Sequence, residues 1–412
     1  MSAARRIAFI APRYSEQGTI GGAETLLRAL AERCAAAGRE VHFLTTCASD
    51  HFSWKNDRPP GEKTVKGVRV HFFPVNEDRD VAAFLGVQSA IDKGVRVSSA
   101  EEHTWIANSV NSRALMDHLA AQGDAYDRLV AGPYLFGITW TAAMRYPEKT
   151  VLVPCLHDEV FARLGIMKKM FLAVRGFMFN THPEMELAER LYGIDPARAS
   201  VVGMGLDPFD ADPRATAAKL GIDAPYVMYA GRREPLKGTP LLCDYLHLFR
   251  ERTGVNLHAV FTGSGPIDAP EALRPFIHDL GFVSEREKHD AMAGAAAFIH
   301  PSVNESLGIV LLEAWLAGTP GLVHGCSAVL KDQVRRANGG LWFKNYPQFE
   351  VALSRLLEDE PLRRALAVSG RAYVRREYDW TAVERRLFAA LDRDPGQSLG
   401  LHVENQGSAP FA

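Results

Sequence analysis

Short apolar runs that close on glycine, proline or a polar loop and give way to helix-like stretches recur along this chain. That rhythm restricts the fold to parallel sheets wound with helices. In the first half the strand-like runs are 6–12, 41–46, 68–73, 128–131 and 150–154; in the second they are 226–230, 257–262, 278–283, 296–301 and 321–324. Between the halves lie Gly203, Gly205, Asp207-Pro208 and Asp212-Pro213, a cluster of turn residues suited to a linker. The expected layout is a Rossmann-like domain over 1–205, a linker over 206–224 and a second Rossmann-like domain over 225–380. A helix over 381–393 should pack back on the first domain, and the Gly-, Pro-, Ser- and Gln-rich segment 394–412 reads as disordered. Two doubly wound α/β domains placed this way face each other across a cleft.

Composition narrows what such a cleft can serve. With 47 Lys and Arg against 49 Asp and Glu, the formal charge is -2, so no general positive field gathers nucleic acid. An anionic ligand has to be met by a local site. Five scattered cysteines with no C-x-x-C spacing argue against a disulfide framework or a zinc site and fit a reducing cytoplasm. No run approaches the roughly 18 to 20 apolar residues of a membrane span. The segment from Leu164 to Phe179 interleaves apolar residues with three cations, and reads either as an amphipathic helix lying on a membrane surface or as a helix of the first domain leading into a buried strand.

The richest stretch is His300 to Ala314, where a strand ends, a polar loop follows and a helix begins. Ligands of doubly wound sheets bind at the carboxyl ends of strands. Backbone N–H groups of Ser306, Leu307 and Gly308, with the helix dipole behind them, suit phosphate or sugar oxygens, and Gly308 leaves room for close approach. Glu305 and Glu313 are eight residues apart, which at about 1.5 Å per residue separates them by about 12 Å along the helix, too far for a catalytic carboxylate pair. They suit two ends of one elongated ligand, or else a dipole partner and a solvated charge. Gly231-Arg232 and Lys237-Gly238 follow another strand end, where a guanidinium fork and a compact ammonium can hold a diphosphate and the charge that grows as it leaves. A solvated basic loop is the plainer reading of the same residues. Gly263 and Gly265 close a third strand, by function or by a tight turn. In the first half, Gly21-Gly22 precede a helix whose first turn carries Glu24, and the G-x-G-x-x-G fingerprint of dinucleotide binding is absent. His157-Asp158 end another strand, with Asp158 placed to orient the imidazole.

Taken in order, Gly231-Arg232, Lys237-Gly238, 261–266, 281–283, Pro301-Ser302 and Glu305-x7-Glu313-Ala314 resemble glycosyltransferase family 4. The likeness covers essentially all of the second domain, with weaker agreement at 21–24. It implies the GT-B fold and a retaining, metal-independent transfer from a UDP- or GDP-sugar co-substrate, with no other cofactor. Arg232, Lys237, Glu305 and His157 are the catalytic group it implies. Gly22, Gly231, Gly263, Ser306, Leu307, Gly308 and Glu313 would bind the donor, Glu313 at its ribose. The acceptor would be a saccharide or a lipid-linked sugar, in surface polysaccharide or glycoconjugate assembly at the inner face of the cell membrane. A sugar-nucleotide epimerase or hydrolase, or a silent sugar-nucleotide-binding scaffold, are the alternatives the same residues allow.

Overall fold

The computed structural model describes residues 5–16 and 21–393; the segment 394–412 and Gly18 of the glycine loop lie outside the described residues. The first sheet holds eight strands: β1 (Arg6–Ile10), β2 (Glu40–Thr46), β3 (Gly61–Val65), β4 (Val68–Phe73), β5 (Arg128–Ala131), β6 (Thr150–Leu152), β7 (Gly176–Phe179) and β8 (Ala199–Val201), in the order β3-β4-β2-β1-β5-β6-β7-β8. All pairs are parallel except β3 with β4. The second sheet is wholly parallel. It contains β9 (Tyr226–Ala230), β10 (His258–Thr262), β11 (Ile277–Asp279), β12 (Ala297–His300), β13 (Gly321–His324) and β14 (Gly340–Phe343), ordered β11-β10-β9-β12-β13-β14.

The central strands are continuous apolar runs because helices cover both faces of each sheet. Ile7 to Ile10 are fully buried, as are Ala297 to Ile299. In the second sheet the winding reverses between β9 and β12, which leaves a crevice beyond their carboxyl ends. The Gly231 to Gly238 loop leaves β9 and the Pro301 to Gly308 loop leaves β12, so the two loops read as chemically rich flank this reversal.

The segment from Leu164 to Phe179 is not a membrane-surface helix. It splits into a helix, Gly165–Ala173, and the inner strand β7. Ile166, Met167, Met170 and Phe171 have no exposed surface, and Glu102 accepts from the Gly165 and Ile166 N–H groups at 3.0 and 2.9 Å. The apolar stripe is consumed by the first domain's core, and Leu172 is the one of its large side chains left half exposed. No helix among the described residues is long and apolar enough to cross a membrane.

After the second sheet the chain forms the helix Glu360–Glu377 and then the helix Trp380–Asp392, which returns to the first domain. Asp392 forms a two-pronged ion pair with Arg39 at 2.8 Å, Arg128 donates to the Leu391 carbonyl, and Arg33 stacks 4.2 Å over the Trp380 ring. Arg386 donates to the Val202 carbonyl at the end of β8. The two domains are therefore joined twice, by the 202–225 segment and by this returning helix.

Candidate active site at the interdomain cleft

Two of the four residues read as catalytic are in contact in the second domain, and a third, His157, lies within their electrostatic reach from the first. Lys237 Nζ lies 2.7 Å from Glu305 Oε1, with the two side chains 26% and 15% exposed. Behind them His300, the last residue of β12, places Nε2 3.7 Å from the same oxygen. Burial alone would raise the Glu305 carboxyl, but its electrostatic interactions with His300 and Lys237 and the Lys237 hydrogen bond outweigh it, so its pKa is lowered. From the first domain, His157 reaches the same field. Its pKa is lowered, first by burial, with Glu159 and Glu305 pulling upward and Lys237 pushing down. Its imidazole is therefore neutral at neutral pH, able to donate or accept one hydrogen bond to a hydroxyl.

Arg232 stands apart from this cluster. It is half exposed, pairs with Glu234 at 3.1 Å, and faces the first domain, where His51 is held low by burial and then by Arg13 and Arg232. The arginine that is buried is its neighbour, Arg233, which donates to the Gly265 and Gly263 carbonyls and to Asp279 at 2.5 to 2.9 Å. Arg233 thus fixes the loops beyond β9, β10 and β11 and leaves Arg232 to face the cleft.

Several expectations need correction. The chain from Glu305 to Glu313 is not one helix: residues 305–308 form a loop and the helix is Ile309–Ala317, so the helical rise does not set the spacing of the two carboxylates. Gly308 is left-handed (φ 78), and a Cβ there would meet Leu330 Cδ2 at 2.6 Å, so its small size serves packing against the neighbouring helix rather than ligand approach. Gly263 similarly lies against the Gly231 carbonyl, 2.1 Å from where its Cβ would be. Asp158 does not orient His157; its two oxygens are bound by Arg163 and Arg190 at 2.6 and 2.8 Å. Glu24 forms a buried ion pair with Arg13 at 2.6 Å beside Gly21. Gly22 starts the Gly22–Ala36 helix and opens onto free space.

Glu313 is held one turn into its helix by Lys288 at 3.0 Å. Burial raises its carboxyl, with Lys288 opposing. Glu285, His289 and Glu313 bring their ligand atoms within 4.8 Å of one another, but the Lys288 ammonium sits among them, bonded to both carboxylates at 2.7 and 3.0 Å, and fills the place a cation would take.

Sequence reasoning missed the residue that holds His157's turn. Glu184 is buried and accepts from Leu156 N–H at 2.7 Å and Asn180 N–H at 2.6 Å, tying together the segments that follow β6 and β7. Thr181-His182-Pro183-Glu184 carries a T-x-x-E helix start, a signal that could have located this helix without revealing the role of the carboxylate.

Residues 214–373 match the family described as glycosyl transferases group 1. Several solved structures superimpose over 94% of this chain. Sucrose-phosphate synthase from Thermosynechococcus elongatus does so at a TM-score of 0.68 and 17% identity, over 100% of its length. Anabaena HepE in complex with UDP and glucose does so at 0.67 and 16%, over 99% of its length. The fold is GT-B, and a GT-B glycosyltransferase is the class these likenesses support. In sequence the chain is 29% identical over 390 residues to D-inositol 3-phosphate glycosyltransferase of Xylanimonas cellulosilytica, covering 88% of this chain and 89% of that one.

Proposed function

We propose that this protein is a retaining, metal-independent glycosyltransferase that moves a sugar from a nucleoside-diphospho-sugar held by the second domain to a hydroxyl presented by the first. The observation that carries the reading is the Lys237–Glu305 pair at the sheet reversal, with His157 reaching its field from the opposite domain. Arg232 and Lys237 supply fixed positive charge where a departing diphosphate becomes more negative, the task a metal performs elsewhere. The Lys288 ammonium within the Glu285–His289–Glu313 group is consistent with that. Glu305 faces the transferred sugar and Glu313 the ribose.

Transfer with retention follows from same-face attack. The bond from the anomeric carbon to the diphosphate breaks, the acceptor oxygen bonds to that carbon on the same face, and the acceptor's proton passes to a diphosphate oxygen. Protein groups position the reactants and stabilise charge. HepE binds UDP and glucose, which makes UDP-glucose the first donor to test. The inositol phosphate glycosyltransferases make a small phosphorylated polyol the first acceptor to test beside saccharides. Surface glycoconjugate assembly in the cytoplasm is a setting the reading allows, and the burial of the apolar residues of 164–179 removes that segment as its membrane anchor.

The test is donor turnover with and without acceptor, in EDTA and in magnesium. The expected result is acceptor-dependent nucleotide release, unchanged by EDTA, yielding a product of the donor's own anomeric configuration. Release that is independent of acceptor contradicts transfer in favour of a hydrolase, and a strict divalent-ion requirement contradicts the role given to the two cations.

A further inference from the structure

The loop 305–308 has a backbone whose orientation is set from outside the donor site. Thr181 Oγ1 donates to the Ser306 carbonyl at 3.1 Å, and Gln333 Nε2 donates to the Leu307 carbonyl at 3.3 Å. In a planar trans peptide the N–H points opposite to the C=O. Anchoring these two consecutive carbonyls therefore aims the N–H groups of Leu307 and Gly308 away from Thr181 and Gln333, and neither N–H has a hydrogen-bond partner among the described residues. Thr181 belongs to the first domain and Gln333 to the second, so the loop is gripped from both.

Each grip is itself fixed. The Thr181 hydroxyl also accepts from the Glu184 N–H at the start of the His182–Tyr192 helix, which commits its proton to Ser306. Buried Gln333 donates its second N–H to Tyr378 Oη at 2.7 Å and accepts from Tyr373 Oη at 2.8 Å. The Tyr378 carbonyl accepts from Leu206 N–H at 2.8 Å, in the segment joining the domains. A cavity of about 330 Å³ borders Thr181, Gln333 and Tyr378.

We infer that Thr181 and Gln333 are positioning residues that aim the Leu307 and Gly308 N–H groups at the donor, and that the Thr181 bond makes this aim depend on the closed arrangement of the domains. The inference rests on the transferase reading above. On closure the first domain completes the donor loop as well as delivering the acceptor, so the second domain alone holds nucleotide but does not orient it for transfer.

Thr181→Asp separates the two jobs of this hydroxyl. Aspartate still caps the 182–192 helix, but it has no proton to donate and sets a negative oxygen against the Ser306 carbonyl. Thr181→Ser keeps both bonds. The expected result is a fall in kcat of at least 10-fold for Thr181→Asp with UDP affinity by calorimetry within about 3-fold of wild type, similar melting midpoints, and near wild-type turnover for Thr181→Ser. Equal kcat for the Asp and Ser variants overturns the inference. Should Thr181→Asp not fold, Gln333→Met carries the test on the other carbonyl, with at least a 10-fold loss in kcat expected and unchanged turnover overturning it. Failure of the transferase reading shows separately, as wild-type protein that neither binds UDP or GDP nor turns over a nucleotide sugar.

Discussion

Lys237→Ala is expected to lower kcat/KM by about 10²- to 10³-fold, the scale of losing one preorganised group that stabilises developing charge. The change has a second consequence, because Lys237 is paired with Glu305 at 2.7 Å and both are largely buried. Removing the ammonium strands a largely buried carboxylate beside His300, which costs about 3 kcal/mol or more. Activity and stability must therefore be separated by a second substitution. In Lys237→Ala with Glu305→Gln the stranded charge is gone, so the melting midpoint should recover while turnover stays at the level of the single variant or below. Recovery of turnover together with stability would show that the lysine serves the fold alone.

Glu184→Ala is expected to cost about 2 to 4 kcal/mol, because it leaves the buried Leu156 and Asn180 N–H groups without an acceptor. It should also lower turnover, since Leu156 precedes His157 and the carboxylate is what holds that turn against the segment after β7. Burial pushes the Glu184 carboxyl up to about 8 from 4.5, against the backbone N–H groups that pull it down. A folded-state pKa above the unfolded one means the fold favours the protonated form. The contribution is complete below about 4.5 and is lost as pH rises through about 8. Urea unfolding at pH 5 and pH 8 checks both points: wild type should lose more stability over this interval than Glu184→Gln, which cannot ionise. Parallel pH dependence in the two proteins, or a Glu184→Ala variant as stable as wild type, would contradict this role.

The central strands were readable because burial on both faces writes itself as uninterrupted apolar sequence, as in 226–230 and 296–301. Strands that are short or lie at an edge were not. β3 (Gly61–Val65) is polar and half exposed, while β8 and β14 are only three and four residues long, too short for an apolar run to stand out from its surroundings. The 164–179 segment shows the limit of periodicity: an amphipathic stripe says that a face is buried, not what buries it. Within the site, residue types at strand ends were legible, since the sheet reversal gathers them whatever the loops do in detail. Partners were not. Nothing in Arg232-Arg233 tells which guanidinium is buried, and nothing in His157-Asp158 tells that the aspartate turns to Arg163 and Arg190. Thr181, Glu184 and Gln333 act through backbone groups of other segments, and that kind of contact leaves no motif.

The central claim is that the second domain holds a nucleotide diphosphate through Arg232 and Lys237. Its most direct test is the melting midpoint of the wild-type protein and of Arg232→Ala with UDP, GDP and ADP. A nucleotide present at 100 times its dissociation constant stabilises by about 2.7 kcal/mol, a shift of several degrees. Selective stabilisation by one nucleotide, reduced or abolished in Arg232→Ala while the variant's ligand-free midpoint is unchanged, is the predicted result. No shift with any nucleotide, or the same shift in both proteins, would contradict the account.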